Sequence, residues 1–600
     1  MKKQSKKQAI SRLYLWVPLA ALFLILPFLM RYHVYDSAIS KYAWSSGNPQ
    51  AADISLYCKQ QFLTILGGCI LILLMWQTVK QREGWKNQSR KYWQILIPAV
   101  IYFTLVMVSS LCSKYRTAAF QGSDEQFESC FAVLTYFIII LYLLVNLKEE
   151  QDFGIFLKLF GIFAVMTALL GILQYADLNP LNLEFIQRMI LPKGYIEDVG
   201  KLSSVFEEGR VSLTAYNPNY AGVLITILSA FCVGFIITET TKVKLIGGIL
   251  LLLLLLVALV GTGSKAGLLV FSAIALFSLF FVRKRLKKYW PITLTCVAIF
   301  CIAGILLVFY ARLPLLENIK NALSFEQGEL NPIKRMTTDE DGIHLTYNDC
   351  NFTVRYRVED GNFYLDMISH DGVMYETAAN AETMTYHATN EALKELSFSP
   401  APLGDVGYGL TMHLENHDWT FIFLDDVYYF INNYNRLERL QEVDRYGFYG
   451  HEMFATARGL IWSTTLPLLK DHILLGSGAN TFVFEYPQSN YKDMYYFVGT
   501  NQIVTRPHNM YLQTAVESGV VALLALLVFY GWYLVQSLRL CWKSDFSGLA
   551  ERLSFACFLA VTAYIVCGLT NDSMITVAPV FWGILGAGIA ANRMMMKEKK

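Results

Sequence analysis

Leu245-Ile246-Gly247-Gly248-Ile249-Leu250-Leu251-Leu252-Leu253-Leu254-Leu255-Leu256-Val257-Ala258-Leu259-Val260 contains no charged residue. It is close to the roughly 20 apolar residues that cross a hydrocarbon core. Leu13 to Met30, Phe62 to Trp76, Ile155 to Leu173 and Leu523 to Val535 have the same character. Working outward from these runs gives about twelve spans: 13–30, 61–79, 93–111, 130–147, 153–176, 217–237, 243–260, 265–282, 290–310, 509–536, 550–569 and 576–594. The pair at 243–282 is nearly fused across Gly261 to Gly267. A 600-residue chain that is 54% hydrophobic and 16% charged is too apolar for a water-soluble protein of this size.

Lys2, Lys3, Lys6, Lys7 and Arg12 precede the first run without a small-residue cleavage site after it, so that run is read as an uncleaved helix. Alternate connections are basic: Lys80, Arg82, Lys86, Arg90 and Lys91; Lys242 and Lys244; Arg283 to Lys288; Arg539 and Lys543; Arg593 to Lys600. The Lys and Arg bias of short loops sets orientation. Both termini are therefore expected in the cytoplasm, and the polar stretches 177–216 and 311–507 outside. The net charge of +2 averages oppositely charged regions and names no partner. The eleven cysteines are scattered, without metal-like spacing or a disulfide pattern.

Between Asp339 and Arg445 the patterning changes. Phe352 to Val358, then Asp360-Gly361-Asn362, then Phe363 to Ile368 predicts a hairpin. His370-Asp371-Gly372 offers another turn, and Trp419 to Leu424 with Tyr428 to Ile431 a further strand pair. The expected fold is an all-α polytopic membrane protein with a small extracytoplasmic antiparallel β domain inserted between helices nine and ten. Its parts are 1–312 (membrane), 313–507 (external, with the β insert at about 339–435 and a helical segment at about 450–470) and 508–600 (membrane). Twenty acidic residues against six Lys or Arg make 339–445 a poor cradle for a diphosphate.

Anion chemistry is expected elsewhere. Arg506-Pro507-His508-Asn509 opens the tenth span, and proline suits a first helical position. That predicts His508 and Asn509 in the first turn, where free N–H groups favour an anion. Asn509, Gln513 and Glu517, four apart, form a polar stripe that would face a protein interior or a cavity; the plainer alternative is bonding to neighbouring helices. Glu207-Glu208-Gly209-Arg210, followed by Asn217-Pro218-Asn219, sets Arg210 at the outer face as a bidentate phosphate clamp or an interfacial anchor. Gly261-Thr262-Gly263-Ser264-Lys265 breaks a helix on the same side and adds the Lys265 charge. Phe454 to Leu469 has helical spacing with Arg458 and Trp462 on one face, and Gly476-Ser477-Gly478 ends it.

As a set these pieces resemble the bacterial O-antigen ligase and O-antigen polymerase superfamily of membrane glycosyltransferases. The resemblance runs from Gly171-Ile172-Leu173-Gln174-Tyr175 through Arg210, Asn217-Pro218-Asn219, Thr262-Gly263-Ser264-Lys265, Arg458-Gly459-Leu460-Ile461-Trp462 and Leu474-Leu475-Gly476-Ser477-Gly478 to His508-Asn509, Leu512-Gln513 and Glu517-Ser518-Gly519. It implies twelve helices, a large external loop between helices nine and ten, an undecaprenyl diphosphate-linked glycan donor and metal-independent transfer to an acceptor hydroxyl. Members of the family commonly have Arg where Lys265 stands, and the acidic β insert is not part of the family core.

Such a transfer needs a base for the hydroxyl proton and cations for the departing diphosphate. His508 has the intrinsic pKa for the first. Arg210 and Lys265 supply the second, with Arg458 and Arg506 as lesser candidates, and Asn509, Gln513, Glu517, Asn217 and Asn219 support them. The expected partners are the lipid-linked donor, a glycan or lipid acceptor and the surrounding lipids of a bacterial inner membrane, with no nucleic acid, cofactor or metal. Ligase and polymerase share this chemistry. A transporter or flippase is the competing class, although its sites belong near the midplane and the polar residues here gather at the outer mouths. A non-catalytic assembly protein whose β insert binds a partner is the third reading.

Overall fold

The apolar runs fold as helices because a backbone without water must satisfy its own N–H and C=O groups. The computed structural model describes residues 16–80, 93–200, 209–215, 217–281, 330–360, 362–380, 384–414, 417–499 and 502–598. The expected ninth span at 290–310 lies outside these residues, as do Glu207 and Glu208. The main helices are α1 (Trp16–Phe28), α2 (Leu56–Lys80), α3 (Trp93–Cys112), α4 (Cys130–Asn146), α5 (Glu150–Tyr175), α6 (Pro218–Thr238), α7 (Lys242–Gly261), α8 (Lys265–Ser278), α9 (Phe454–Thr465), α10 (Met510–Ser518), α11 (Val520–Trp542), α12 (Leu549–Cys567) and α13 (Ala578–Glu598). Among the described residues seven helices are long and apolar enough to cross a membrane: α2, α3, α5, α6, α7, α11 and α12.

Two expectations need correction. The tenth span is not one helix over 509–536: α10 and α11 are separated at Gly519, whose φ of +100° is open to glycine. A Cβ there would meet the Leu474 carbonyl at 2.8 Å. The stripe-bearing segment is therefore a short half-helix. The segment from 454 is also not regular throughout, because Ala455, Thr456 and Ala457 have φ of 51°, 67° and 62° and the helical path begins only after them.

Polar contacts tie the ends of several helices to the connections beside them. Ser55 Oγ donates to the Thr214 carbonyl (2.8 Å), Ser109 Oγ to that of Ser518 (3.2 Å) and Gln174 Nε2 to that of Leu213 (3.1 Å). Arg552 pairs with Glu239 (3.1 Å) and Gln77 Nε2 donates to Asn146 Oδ1 (3.0 Å).

Between α1 and α2 lies a hairpin of β1 (His33–Asp36) and β2 (Gln50–Asp53), and the β region further on has two antiparallel meanders. One runs β3 (Ile333–Thr338), β4 (Ile343–Tyr347), β5 (Cys350–Glu359) and β6 (Asn362–Ser369). The other runs β7 (Thr377–Asn380), β8 (Thr385–Ala388), β9 (Ser397–Pro402), β10 (Tyr408–Leu414), β11 (His417–Leu424), β12 (Val427–Ile431) and β13 (Leu437–Glu438). The expected hairpin joins β5 to β6 with Glu359 opposite Asn362, and the expected strand pair is β11 with β12. The region begins at Ile333, ahead of the expected 339. Phe352, Val354 and Tyr356 of β5 point inward, and Arg355 and Arg357 outward. The two inner faces share one core with Trp419 at 0% exposure. Trp419→Ala is expected to lower the stability of this sandwich by about 3–5 kcal/mol, read as faster limited proteolysis within 333–438 while the helical fragments persist.

The sandwich is docked through contacts that include Phe430 against the rings of Tyr491 and Tyr495. The connection between α1 and α2, which carries the β1–β2 hairpin, receives Asn432 Nδ2 on the Ala43 carbonyl (2.8 Å) and Arg436 Nη1 on that of Tyr42 (3.2 Å). On the other side the guanidinium of Arg445 pairs with Asp493 (3.1 Å) and Glu452 (2.8 Å).

Candidate active site

The connection between α12 and α13, the start of α6 and the strand-like approach to α10 meet at one buried carboxylate, Asp572. Tyr220, in the first turn of α6, donates its hydroxyl to Asp572 Oδ2 (3.2 Å) and accepts from Arg506 Nη1 (2.8 Å). The other oxygen, Oδ1, accepts from the Asn509 backbone N–H (3.1 Å). His508 Nδ1 lies 3.0 Å from Oδ2, with the imidazole 42% exposed and the carboxylate fully buried. A buried carboxylate only accepts, so Nδ1 carries the proton and Nε2 is left as the basic nitrogen.

The backbone explains this aim. His508 has φ +52°, so it stands before the helix rather than in its first turn as expected. Asn509 is the cap: its Oδ1 accepts from Tyr511 N and Leu512 N, 3.0 Å each. Gln513 accepts from the Ser573 backbone N–H (2.9 Å) and so holds the Asp572 connection against α10. Burial disfavours a charge on Asp572, but His508, Arg506 and Tyr220 outweigh it and hold the carboxyl below its ordinary value. Arg506 is itself buried; Tyr220 and Asp572 overcome that burial and raise its guanidinium above the ordinary value. This side chain braces the carboxylate from behind, and its Nε has no hydrogen-bond partner among the described residues.

Arg458 follows the left-handed turn at 455–457. Its burial lowers the guanidinium from its ordinary value, with Asp572 and Tyr220 acting in the opposite sense; the same site is therefore within its electrostatic reach. Trp462, one turn on, donates Nε1 to the Pro507 carbonyl (2.8 Å), next to His508. Leucine-glycine segment 474–478 is stitched to the end of α10 through Ser477 N to the Val516 carbonyl and Gly478 N to that of Glu517, both 2.9 Å.

Arg210 and Lys265 are exposed on the flank of α6. Val211 N donates to the Gly261 carbonyl (3.0 Å), which joins the Arg210 strand to the break before Lys265. That break rests on α6, where a Cβ on Gly222 would lie 2.4 Å from Ser264 Cβ. Tyr220 and Gly222 are neighbours on α6, so this helix start carries the carboxylate network on one flank and the break on the other. Asn217 caps α6 through its Oδ1 and the Asn219 N–H (2.8 Å). Direct bonds thus bring together His508, Asn509, Arg506, Tyr220 and Asp572, with Gln513 one bond away, and Arg458 joins by charge. Arg210 and Lys265 make none of these bonds; their segments reach α6 only through the Val211–Gly261 and Gly222–Ser264 contacts.

Tyr220 and Asp572 were not expected from sequence. Asp572 sits in the apolar-flanked stretch Gly568-Leu569-Thr570-Asn571-Asp572-Ser573, where the only signal is a carboxylate between two membrane-type runs. Among the described residues no group of three or more His, Cys, Asp and Glu is placed to hold a metal ion.

Residues 420–527 match the family model described as O-Antigen ligase, which supports the superfamily resemblance. The match runs from β11 into α11 and includes Arg458, Arg506, His508, Asn509, Gln513 and Glu517; Arg210, Tyr220, Lys265 and Asp572 lie outside it. No curated protein and no solved structure matches the chain.

Proposed function

We propose, from the O-antigen ligase-type segment and the His508–Asp572 pair at its end, that the protein transfers a glycan from an undecaprenyl diphosphate-linked donor to an acceptor hydroxyl in cell-surface polysaccharide synthesis. The hydroxyl oxygen attacks the anomeric carbon, the bond to the diphosphate oxygen breaks, and the electron pair leaves with the diphosphate. Nε2 of His508 takes the hydroxyl proton, while Asp572 steadies the imidazolium that forms. Arg210, Lys265 and Arg458 meet the charge on the leaving group, and no metal takes part. Arg506 holds the Tyr220 hydroxyl, which in turn bonds Asp572. The setting is a bacterial cytoplasmic membrane crossed by twelve helices, with both termini inside and this site on the outer face.

The observation that carries this reading is an imidazole whose Nδ1 is held by a buried carboxylate while its other edge is open. No observation favours the transport reading. Purified full-length protein incubated with a lipid diphosphate-linked oligosaccharide is expected to release the lipid diphosphate with or without EDTA. Lengthened lipid-linked chains without added acceptor mark a polymerase; product only with a second acceptor marks a ligase. An unchanged donor in every mixture would overturn the proposal.

A further inference from the structure

Below α10 lies a cavity of about 30 Å³, lined by Glu128, Glu517, Gln513 and Tyr564 among apolar and phenolic side chains. It has room for about two water-sized particles. No Lys, Arg or His lines it. Glu128 Oε1 accepts from Tyr136 (2.6 Å) and Ser573 (3.0 Å), as an ionised carboxylate does. Glu517 is 7% exposed, and its Oε1 has no hydrogen-bond partner among the described residues; the Tyr564 hydroxyl, at 3% exposure, has none either. The two carboxyls feel each other's charge. Two such groups facing one small buried cavity ionise together only if a positive charge joins them. Arg506 is committed to Tyr220.

We propose that this cavity binds one alkali cation, sodium or potassium, through Glu517 Oε1, Glu128, the Gln513 carbonyl oxygen and the Tyr564 hydroxyl. Such an all-oxygen set suits a hard cation. The space is too small for the waters that Mg²⁺ keeps. The ion does not touch the reacting atoms. It joins Glu128, which holds Ser573 beside Asp572, to Glu517 on the half-helix capped beside His508, and so braces the two pieces that position the base. The proposal stands independently of the transfer reaction.

Burial pushes the Glu128 carboxyl up to about 7 and that of Glu517 up to about 8, so a proton competes with the ion into the mildly alkaline range, and the test belongs at about pH 9. Thermal unfolding of the purified full-length protein in detergent is followed in sodium, potassium or choline chloride at equal ionic strength. The melting temperature is expected to be about 2–4 °C higher in at least one alkali salt than in choline, and Glu517→Gln to remove that difference. Should Glu517→Gln fail to fold, Tyr564→Phe is expected to raise the half-saturating salt concentration several-fold. Equal melting temperatures in all three salts would overturn the proposal, a proton or water then filling the cavity. An alkali effect that persists undiminished in both variants would overturn it as well, because the ion would then bind elsewhere.

Discussion

His508→Ala is expected to lower glycan transfer by about 10²–10⁴-fold, the range for removal of a positioned general base. The imidazole is 42% exposed and makes its one bond to Asp572, so the loss falls on the chemical step rather than on the fold. Backbone geometry complicates alanine, because residue 508 has φ +52°, and the left-handed region disfavours an ordinary side chain by about 1–2 kcal/mol. Asparagine tolerates that region and carries no titratable nitrogen. His508→Asn should therefore melt close to the wild type and lose as much transfer as His508→Ala. Donor consumption by each variant, measured beside its melting temperature, separates the two effects. Wild-type turnover by either variant would remove the base role.

Asp572→Asn is expected to reduce transfer by about 10⁴-fold, through the tautomer. With Oδ1 kept by the Asn509 N–H, the new amide turns its N–H₂ toward His508 Nδ1 and drives the imidazole proton to Nε2. The exposed nitrogen then donates instead of accepting. A second effect is thermodynamic, since the Tyr220 hydroxyl and the Asn509 N–H lose a charged acceptor, and a hydrogen bond to a charged group contributes about 1.5–3 kcal/mol. The acid limb reports this separately. The Asp572 carboxyl lies below its ordinary 3.8 in the folded protein, so its contribution is complete above that ordinary value and is lost as pH falls through the folded one. The wild type should therefore lose melting temperature in that acid window, and Asp572→Asn should lose less over the same interval. Parallel acid limbs would count against the network.

Helices were legible because a charge-free run has few other folds open to it in a membrane, and β5 with β6 because Phe352, Val354 and Tyr356 alternate with polar residues up to an Asp-Gly turn. The break at Gly519 was not legible: Ser518-Gly519-Val520 reads like any glycine inside an apolar helix. What imposes the positive φ is the Leu474 carbonyl pressed against it from a segment some forty residues earlier in the chain. At the site, His508 and Arg506 were marked by charge beside proline. Their roles were not, because Pro507 points to a helix start ahead of the true cap, Asn509, whose spacing also fits the stripe. Asp572 and Tyr220 have no local pattern at all. They become recognisable only when the α12–α13 connection meets the start of α6.

The outermost strands of the acidic sandwich have one more bearing. Thr338 and Leu440 hold each other by two hydrogen bonds, Thr338 N to the Leu440 carbonyl (3.1 Å) and Leu440 N to Thr338 Oγ1 (2.9 Å). The roughly hundred residues between Thr338, the last of β3, and Leu440 thus begin and end at a doorway one strand spacing wide, about 4.8 Å. A module hung on so narrow a doorway is interchangeable in principle: another folded unit, or a turn of a few residues, would span the same gap and leave the path from Arg445 to His508 undisturbed.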